Sequence, residues 1–287
     1  MGGDITFAIL FGAISGISGA LAYFTLRHFL PLSIYFWWLT LNTLIVSFAY
    51  LWGNKVVLIR KDEKKGTIAP LTATFFLPFL TGNFVVWWLK HALCRKEDLG
   101  NEVSGGAQEL WVGRYPLHIK TDDTRVLRNL HAIGVTCVVD LTCEFPAHKR
   151  FVKQASYFCC PSLDRLMASP ETLSRAAVNV LDKVREPGAV YVHCANGHGR
   201  SALFAGILLI LCNRCSSLAE AEVLMKSGRP GIKWQPHQEM VAKLALSMAR
   251  DLLEERERER EREGAREGER GSAKDAAQAY MLNTTTE

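Results

Sequence analysis

"VHCANGHGRS" occupies positions 192–201, between the apolar "GAVY" (188–191) and the apolar run "ALFAGILLIL" (202–211). The flanks predict a buried strand before it and a helix after it. A loop joining a strand end to a helix start turns successive backbone N–H groups into one concavity, and the helix dipole adds to its positive field. Gly197 and Gly199 give such a loop dihedral freedom and room for close approach. A tetrahedral dianion fits there. Arg200 can grip two of its oxygens through a planar fork, which a lysine could not do. The same field favours a thiolate at Cys194. The stretch is therefore equipped to hold a phosphoryl group and aim a sulfur nucleophile at its phosphorus.

On either side of the loop the pattern alternates strand and helix. "ELWVGR" (109–114) reads as a short strand and "DDTRVLRNLHAI" (122–133) as a helix ended by Gly134. "VTCVVDLT" (135–142) is a continuous apolar run, as expected of a strand covered on both faces. "YFCCPSLD" (157–164) ends in a loop, and Pro170–Arg185 reads as a helix with Ser169 as its N-cap. The fold class predicted is α/β, a mostly parallel sheet flanked by helices, preceded by two or three transmembrane helices. In such sheets ligands bind beyond the carboxyl ends of the strands, where Cys194 falls.

His193-Cys194-x5-Arg200-Ser201, with "LWVGRYP" (110–116), "GVTCVVDLT" (134–142) and "SGRPGI" (227–232), resembles the cysteine-based protein tyrosine phosphatases, dual-specificity branch, over about Leu110–Leu244. The resemblance implies that Cys194 is the nucleophile and that Arg200 binds phosphate and the transition state. The backbone of Ala195, Asn196, Gly197, His198 and Gly199 would line the cradle. His193 would orient the loop, and Ser201 would donate to the sulfur. It also implies a general acid on a mobile loop some thirty residues upstream, a place that Asp164 in "CPSLDRL" fills. Asp140 is the rival, but its apolar run suggests a structural role at the strand end; Asp182 reads as a helix-surface charge. Gln235 and Gln238 stand where relatives position the hydrolytic water, although the usual asparagine-containing pattern is missing here. His198 could touch substrate or bond within the loop. No metal or cofactor is required, since Arg200 and the amides supply the positive field.

The activity implied is hydrolysis of phosphotyrosine and phosphoserine/threonine on proteins through a cysteinyl-phosphate. The alternative is a phospholipid such as phosphatidylglycerophosphate; the less favoured reading is a non-catalytic phosphate-binding scaffold. Phosphoinositide-hydrolysing relatives tend to carry lysines inside the signature. Here Ala195, Asn196 and His198 hold those positions, which argues against a highly charged inositol headgroup.

The first ninety residues differ in kind. Residues 5–26 and 31–52 are each about twenty residues without a charge, enough for a hydrocarbon core of roughly 30 Å, with Trp37, Trp38, Tyr50 and Trp52 as interface-seeking aromatics. A cleavable signal peptide is the competing reading of the first run, but it lacks a basic start and a second run follows at once. A third stretch, 68–89, is interrupted by Pro70, Pro78 and Gly82-Asn83. If it crosses, five basic residues (55, 60, 61, 64, 65) face four (27, 90, 95, 96). If it is re-entrant or interfacial, eight share one side and only Arg27 lies opposite. The second arrangement obeys the positive-inside tendency and puts everything after Lys90 in the cytosol. "GAISGISGA" (12–20) has small-xxx-small spacing, through which the first span could oligomerise.

The domain organisation expected is therefore a membrane domain (1–98), a linker (99–106), a catalytic domain (107–253) and a charged helix extension with a disordered tail (254–287). The alternation in "EERERERERE" (254–263) makes i,i+3 pairs opposite in sign and i,i+4 pairs alike. A net charge of +5 leaves no nucleic-acid footprint. Eight cysteines in a chain this long and apolar do not form the framework of a small secreted domain. Cys212 and Cys215 are spaced as C-x2-C but lack the second pair a zinc site needs. Cys143, Cys159 and Cys160 are either buried apolar residues or redox partners for Cys194.

Overall fold

The computed structural model describes residues 3–53, 58–59, 61–93, 100–103, 109–116, 134–147 and 149–284. In chain order its elements are α1 (Ile5–Thr25), α2 (Leu30–Trp52), α3 (Pro70–Phe75), α4 (Leu77–Leu93), β1 (Gly100–Glu102), β2 (Glu109–Arg114) and β3 (Val135–Thr142). Then come α5 (Lys149–Gln154), β4 (Ser156–Ser162), α6 (Pro170–Arg185), β5 (Ala189–Cys194), α7 (Arg200–Leu211), α8 (Leu218–Gly228) and α9 (Pro236–Thr284). The helix expected over 122–133 lies outside the described residues.

The strands form one sheet in the order β1-β2-β5-β3-β4, parallel except for β1. β5 is central and buried along its whole length, pairing with β2 up to Arg114↔Cys194 and with β3 up to Asp140↔His193. A strand flanked on both edges and covered on both faces has no use for alternation, hence "AVYVHC". β1 corrects the linker expectation: Gly100–Glu102 lies within 99–106 and pairs antiparallel with β2. On one face α7 is buried from Arg200 to Ile210, against the sheet, α6, α8 and α9. Phe204, Leu203, Ile207 and Leu208 are fully buried there, each contributing roughly 1.5–3 kcal/mol. Ser169 caps α6 as expected, its Oγ accepting from Thr172 N at 3.2 Å.

α1 and α2 form an antiparallel hairpin, both apolar all round and long enough to cross a membrane. Its small residues are used within the chain. Ser15 Oγ donates to Thr40 O at 3.0 Å, Ser47 Oγ to Ala8 O at 2.7 Å, and Gly12 and Gly19 abut Ser47 and Thr40. The third apolar stretch is not one helix. It breaks at Phe76, between α3 and α4, because Pro78 cannot supply an N–H to a continuous ladder. Tyr50, Phe76 and Phe79 share a core cluster with Cys143, Leu163 and Leu166, so the hairpin's end packs onto the sheet's carboxyl edge.

α9 runs unbroken to Thr284, past Gly264, where a disordered tail was expected. The Arg, Glu, Ala and Lys residues after Leu253 are strong helix formers, and the packed first turns of α9 supply the nucleus that an isolated segment would lack.

The junction contains a buried ion pair. Lys61, from the loop after α2, reaches Asp140 on β3; both side chains are fully buried. The Lys61 ammonium also donates to Thr142 O at 3.0 Å. Removing one partner strands the other's charge. Lys61→Met is expected to lower stability by on the order of 3–5 kcal/mol, read as a lower unfolding midpoint of the detergent-solubilised chain, and Asp140→Asn added to it should recover part of the loss. A midpoint unchanged by Lys61→Met would contradict the pair's role.

Candidate active site

Between the end of β5 and the start of α7, residues 194–199 curl back on themselves. Gly197 has φ +74°, and a Cβ there would come within 2.5 Å of the Gly113 backbone on β2, so this position requires glycine. Gly199 does not: its φ is −105°, and a Cβ would meet nothing closer than 3.5 Å. Four successive carbonyls of the loop are engaged. Ala195 O accepts from Trp87 Nε1 (2.7 Å) and Tyr115 N (3.2 Å). Asn196 O and Gly197 O accept from Arg229 at 3.1 and 2.8 Å, and His198 O from Lys233 N at 3.3 Å. Because peptide units are planar, carbonyls tied outward leave their N–H groups turned toward the loop's centre. A concavity lined by N–H groups could receive an anion. Cys194 Sγ sits in it, accepting from Gly197 N at 3.2 Å and lying 3.3 Å from Ser201 Oγ.

Arg200, the first residue of α7, is 1% exposed. Its Nη2 and Nη1 donate to the two oxygens of Glu144 at 2.7 and 3.2 Å, a bidentate fork. Nη1 also donates to Leu141 O (3.1 Å) and Ser162 O (2.6 Å), the ends of β3 and β4. Nη2 further donates to Asp164 Oδ1 at 3.0 Å. Burial alone would lower the guanidinium's pKa, but Glu144 and Asp164 outweigh it and keep the charge firmly in place. Asp164 is about a third exposed, at the edge of a cavity of about 190 Å³ that holds Cys194, Arg200, Lys90, Lys233 and Gln238.

Under the loop, His193 is buried 3.9 Å from Asp140. Burial pushes its imidazole down to about 4, with Asp140 pulling the other way and Lys61 offsetting that pull. For Asp140, burial would raise the carboxyl, but Lys61, His193 and the Thr142 hydrogen bond hold it well below the usual carboxylate range. Tyr157 Oη donates to it at 2.8 Å. Asp140 is thus a structural anion, as its place in the strand suggested.

The structure brings Cys194, Arg200, Asp164 and Ala195 through Gly199 together, with His193 and Ser201 in support. Gln238 lines the cavity, but its Oε1 accepts from Gln235 N at 3.0 Å. Burial pushes the Cys159 thiol up to about 12 and raises Cys143 and Cys160 as well, which disfavours the thiolate at all three. Four contributors were not identified from the sequence. Glu144 and Lys61 are charges in unremarkable surroundings, whereas Trp87 and Lys90 sit in a stretch that reads as lipid-facing. Arg229 lies in "SGRPGI", singled out without a role; it clamps the loop.

Residues 117–245 match the family described as dual specificity phosphatase, catalytic domain. Similar solved structures include Tk-PTP in the active form, 23% identical over 52% of this chain and 97% of that one, TM-score 0.43. PTPMT1 in complex with PI(5)P is 19% identical over 54% and 99%, TM-score 0.42. Human DUSP28 is 21% identical over 55% and 97%, TM-score 0.40. The comparison with curated proteins returned no match.

The buried imidazole gives a pH signature. A folded-state value near 4, against 6.5 for the free side chain, means that the unfolded chain takes up this proton first. The penalty grows as pH falls from 6.5 to 4, reaching on the order of 3 kcal/mol. NMR of the ring should show His193 neutral until pH approaches 4, and His193→Gln should flatten the acid-side loss of stability. Titration near 6.5 would contradict this environment.

Proposed function

We propose that the chain, whose residues 117–245 match the dual specificity phosphatase catalytic domain, is a membrane-anchored phosphatase working through a cysteinyl-phosphate on Cys194. The observation that carries the reading is the loop itself, with its carbonyls tied outward, Cys194 Sγ accepting from Gly197 N inside it and the Arg200 guanidinium lining the same cavity.

In the mechanism proposed, the substrate's phosphoryl oxygens enter the cradle and take over the hydrogen bond from Arg200 Nη2 that Asp164 now receives. Asp164 is thereby released toward the leaving oxygen. The Cys194 thiolate forms the S–P bond as the P–O bond breaks, and protonated Asp164 gives its proton to the departing oxygen. Ser201 Oγ, 3.3 Å from the sulfur, is placed to stabilise it as it leaves in the second step. There, water attacks phosphorus, Asp164 takes its proton, the S–P bond breaks, and inorganic phosphate departs. Arg200 and the loop amides stabilise the equatorial oxygens in both steps.

α1 and α2 serve as the anchor. Ile5, Ile9, Ile17, Phe24, Ile34 and Trp52 remain exposed on the hairpin, a surface that suits lipid. The basic residues that follow α2 favour a cytosolic catalytic domain. The substrate is a phosphorylated protein or lipid. Phosphotyrosine and phosphoserine/threonine proteins are what the family resemblance implies, and the placement of α4 favours the phospholipid alternative.

Cys194→Ser should abolish hydrolysis of phenyl phosphate by the full chain. Asp164→Asn should lower kcat by about 10²–10⁴-fold on phenyl phosphate, and far less on nitrophenyl phosphate, whose leaving oxygen needs little protonation. Turnover surviving Cys194→Ser would overturn the reading, and equal losses on both substrates would remove Asp164 from the acid role.

A further inference from the structure

The break at Phe76 lies beside the middle of α2. Phe75 O accepts from Asn42 Nδ2 at 2.7 Å and from Trp38 Nε1 at 2.9 Å. Asn42 is fully buried and lies about 15 Å along the axis from the Trp52 end of α2. At that depth in a bilayer, a carbonyl freed by a helix break has no water to turn to. Such a break is tolerated only where neighbouring protein supplies the donors, and here α2 supplies two. α4 then extends about 25 Å, starting beside α1, where the Phe11 and Phe79 rings lie 5.7 Å apart.

The two faces of α4 have different tasks. Val85, Val86, Leu89 and Leu93 fall on one side of the helix and are 44, 67, 43 and 79% exposed. Like α1 and α2, α4 thus leaves large apolar side chains exposed. Toward the catalytic domain, Trp87 Nε1 donates to Ala195 O, and Lys90 Nζ reaches Asn196 Oδ1 at 3.3 Å. A helix is about 10 Å across, so a stripe in lipid places the phosphate loop within roughly that distance of the bilayer. Lys90, Arg165 and Lys233 line the cavity. Cations at headgroup level complement an anionic lipid.

Resting on the anchor and reaction proposed above, we infer that residues 70–93 are a re-entrant membrane segment that seats the phosphate loop at the bilayer surface, and that the substrate is a lipid bearing a phosphomonoester headgroup in that same bilayer. Such a headgroup reaches the cavity by lateral diffusion. A phosphorylated side chain on a soluble protein must enter past α4 and the membrane surface.

The test uses the full chain in phosphatidylcholine vesicles doped with phosphatidic acid or phosphatidylglycerophosphate, alongside phosphotyrosine and phosphoserine peptides and nitrophenyl phosphate. Lipid turnover should exceed peptide turnover by about tenfold or more, and Val86→Asp combined with Leu89→Asp should lower the lipid-to-nitrophenyl ratio by about tenfold or more. A fluorophore on Val86→Cys should be quenched by a lipid-borne nitroxide, which tests the placement even if the double variant misfolds. Preference for a peptide, an unchanged ratio or an unquenched label would each overturn the inference. Failure to hydrolyse nitrophenyl phosphate would instead remove the underlying phosphatase reading, so the two failures are distinguishable.

Discussion

The site depends on one buried charge. Taking a guanidinium out of water costs several kcal/mol unless its donors are matched, and Arg200 is matched by the Glu144 fork and by the carbonyls of Leu141 and Ser162. Those partners sit at or just beyond the ends of β3 and β4, while Arg200 opens the helix that follows β5. The ion pair therefore ties three neighbouring strand ends into one geometry. With Glu144 holding the fork from one side, Nη2 also reaches Asp164 on the other, the side on which the cavity opens. The sheet's order and this electrostatic requirement specify the same place.

A second constraint comes from outside the phosphatase domain. Lys61 neutralises the anion beneath His193, Trp87 holds the Ala195 carbonyl outward, and Asp4 at the head of α1 pairs with Arg165, next to Asp164, at 2.7 Å. Each of these residues precedes the sheet in the chain: Trp87 contacts the loop after Cys194, Asp4 the residue after Asp164, and Lys61 the Asp140 carboxylate that lies beneath His193. The N-terminal helices and the loops that follow them are thus built into the site. The loop after Cys194 is completed by donors from a segment whose composition suits lipid.

How much of this could be read from the sequence follows from how local each signal is. The strands "ELWVGR" and "VTCVVDLT", the helix Pro170–Arg185 and the loop around Cys194 were legible because their patterns repeat within a few residues. Asp164, picked out by the offset that the family resemblance implies, does lie beside Arg200 at the cavity, and Asp140, read as structural from its apolar run, is buried in an ion pair. Glu144 and Lys61 were not found, since a charge's partner tens of residues away leaves no local trace. Gly199 was credited with a conformation that only Gly197 needs; two glycines in one loop look alike until φ is known. Lys90 and Trp87 belong to a stretch whose interruption was visible, but its destination beside the phosphate loop was not. β1 was missed because three residues of "GNE" have no apolar alternation to announce a strand.

The central claim is that this cradle makes Cys194 a covalent phosphoryl acceptor. Rapid-quench mass spectrometry of the full chain during turnover of an aryl phosphate addresses it directly. The account predicts a transient phosphate adduct on the Cys194 peptide, formed and lost at rates that match turnover. Steady turnover with no adduct at Cys194, or with the label on another residue, would contradict it.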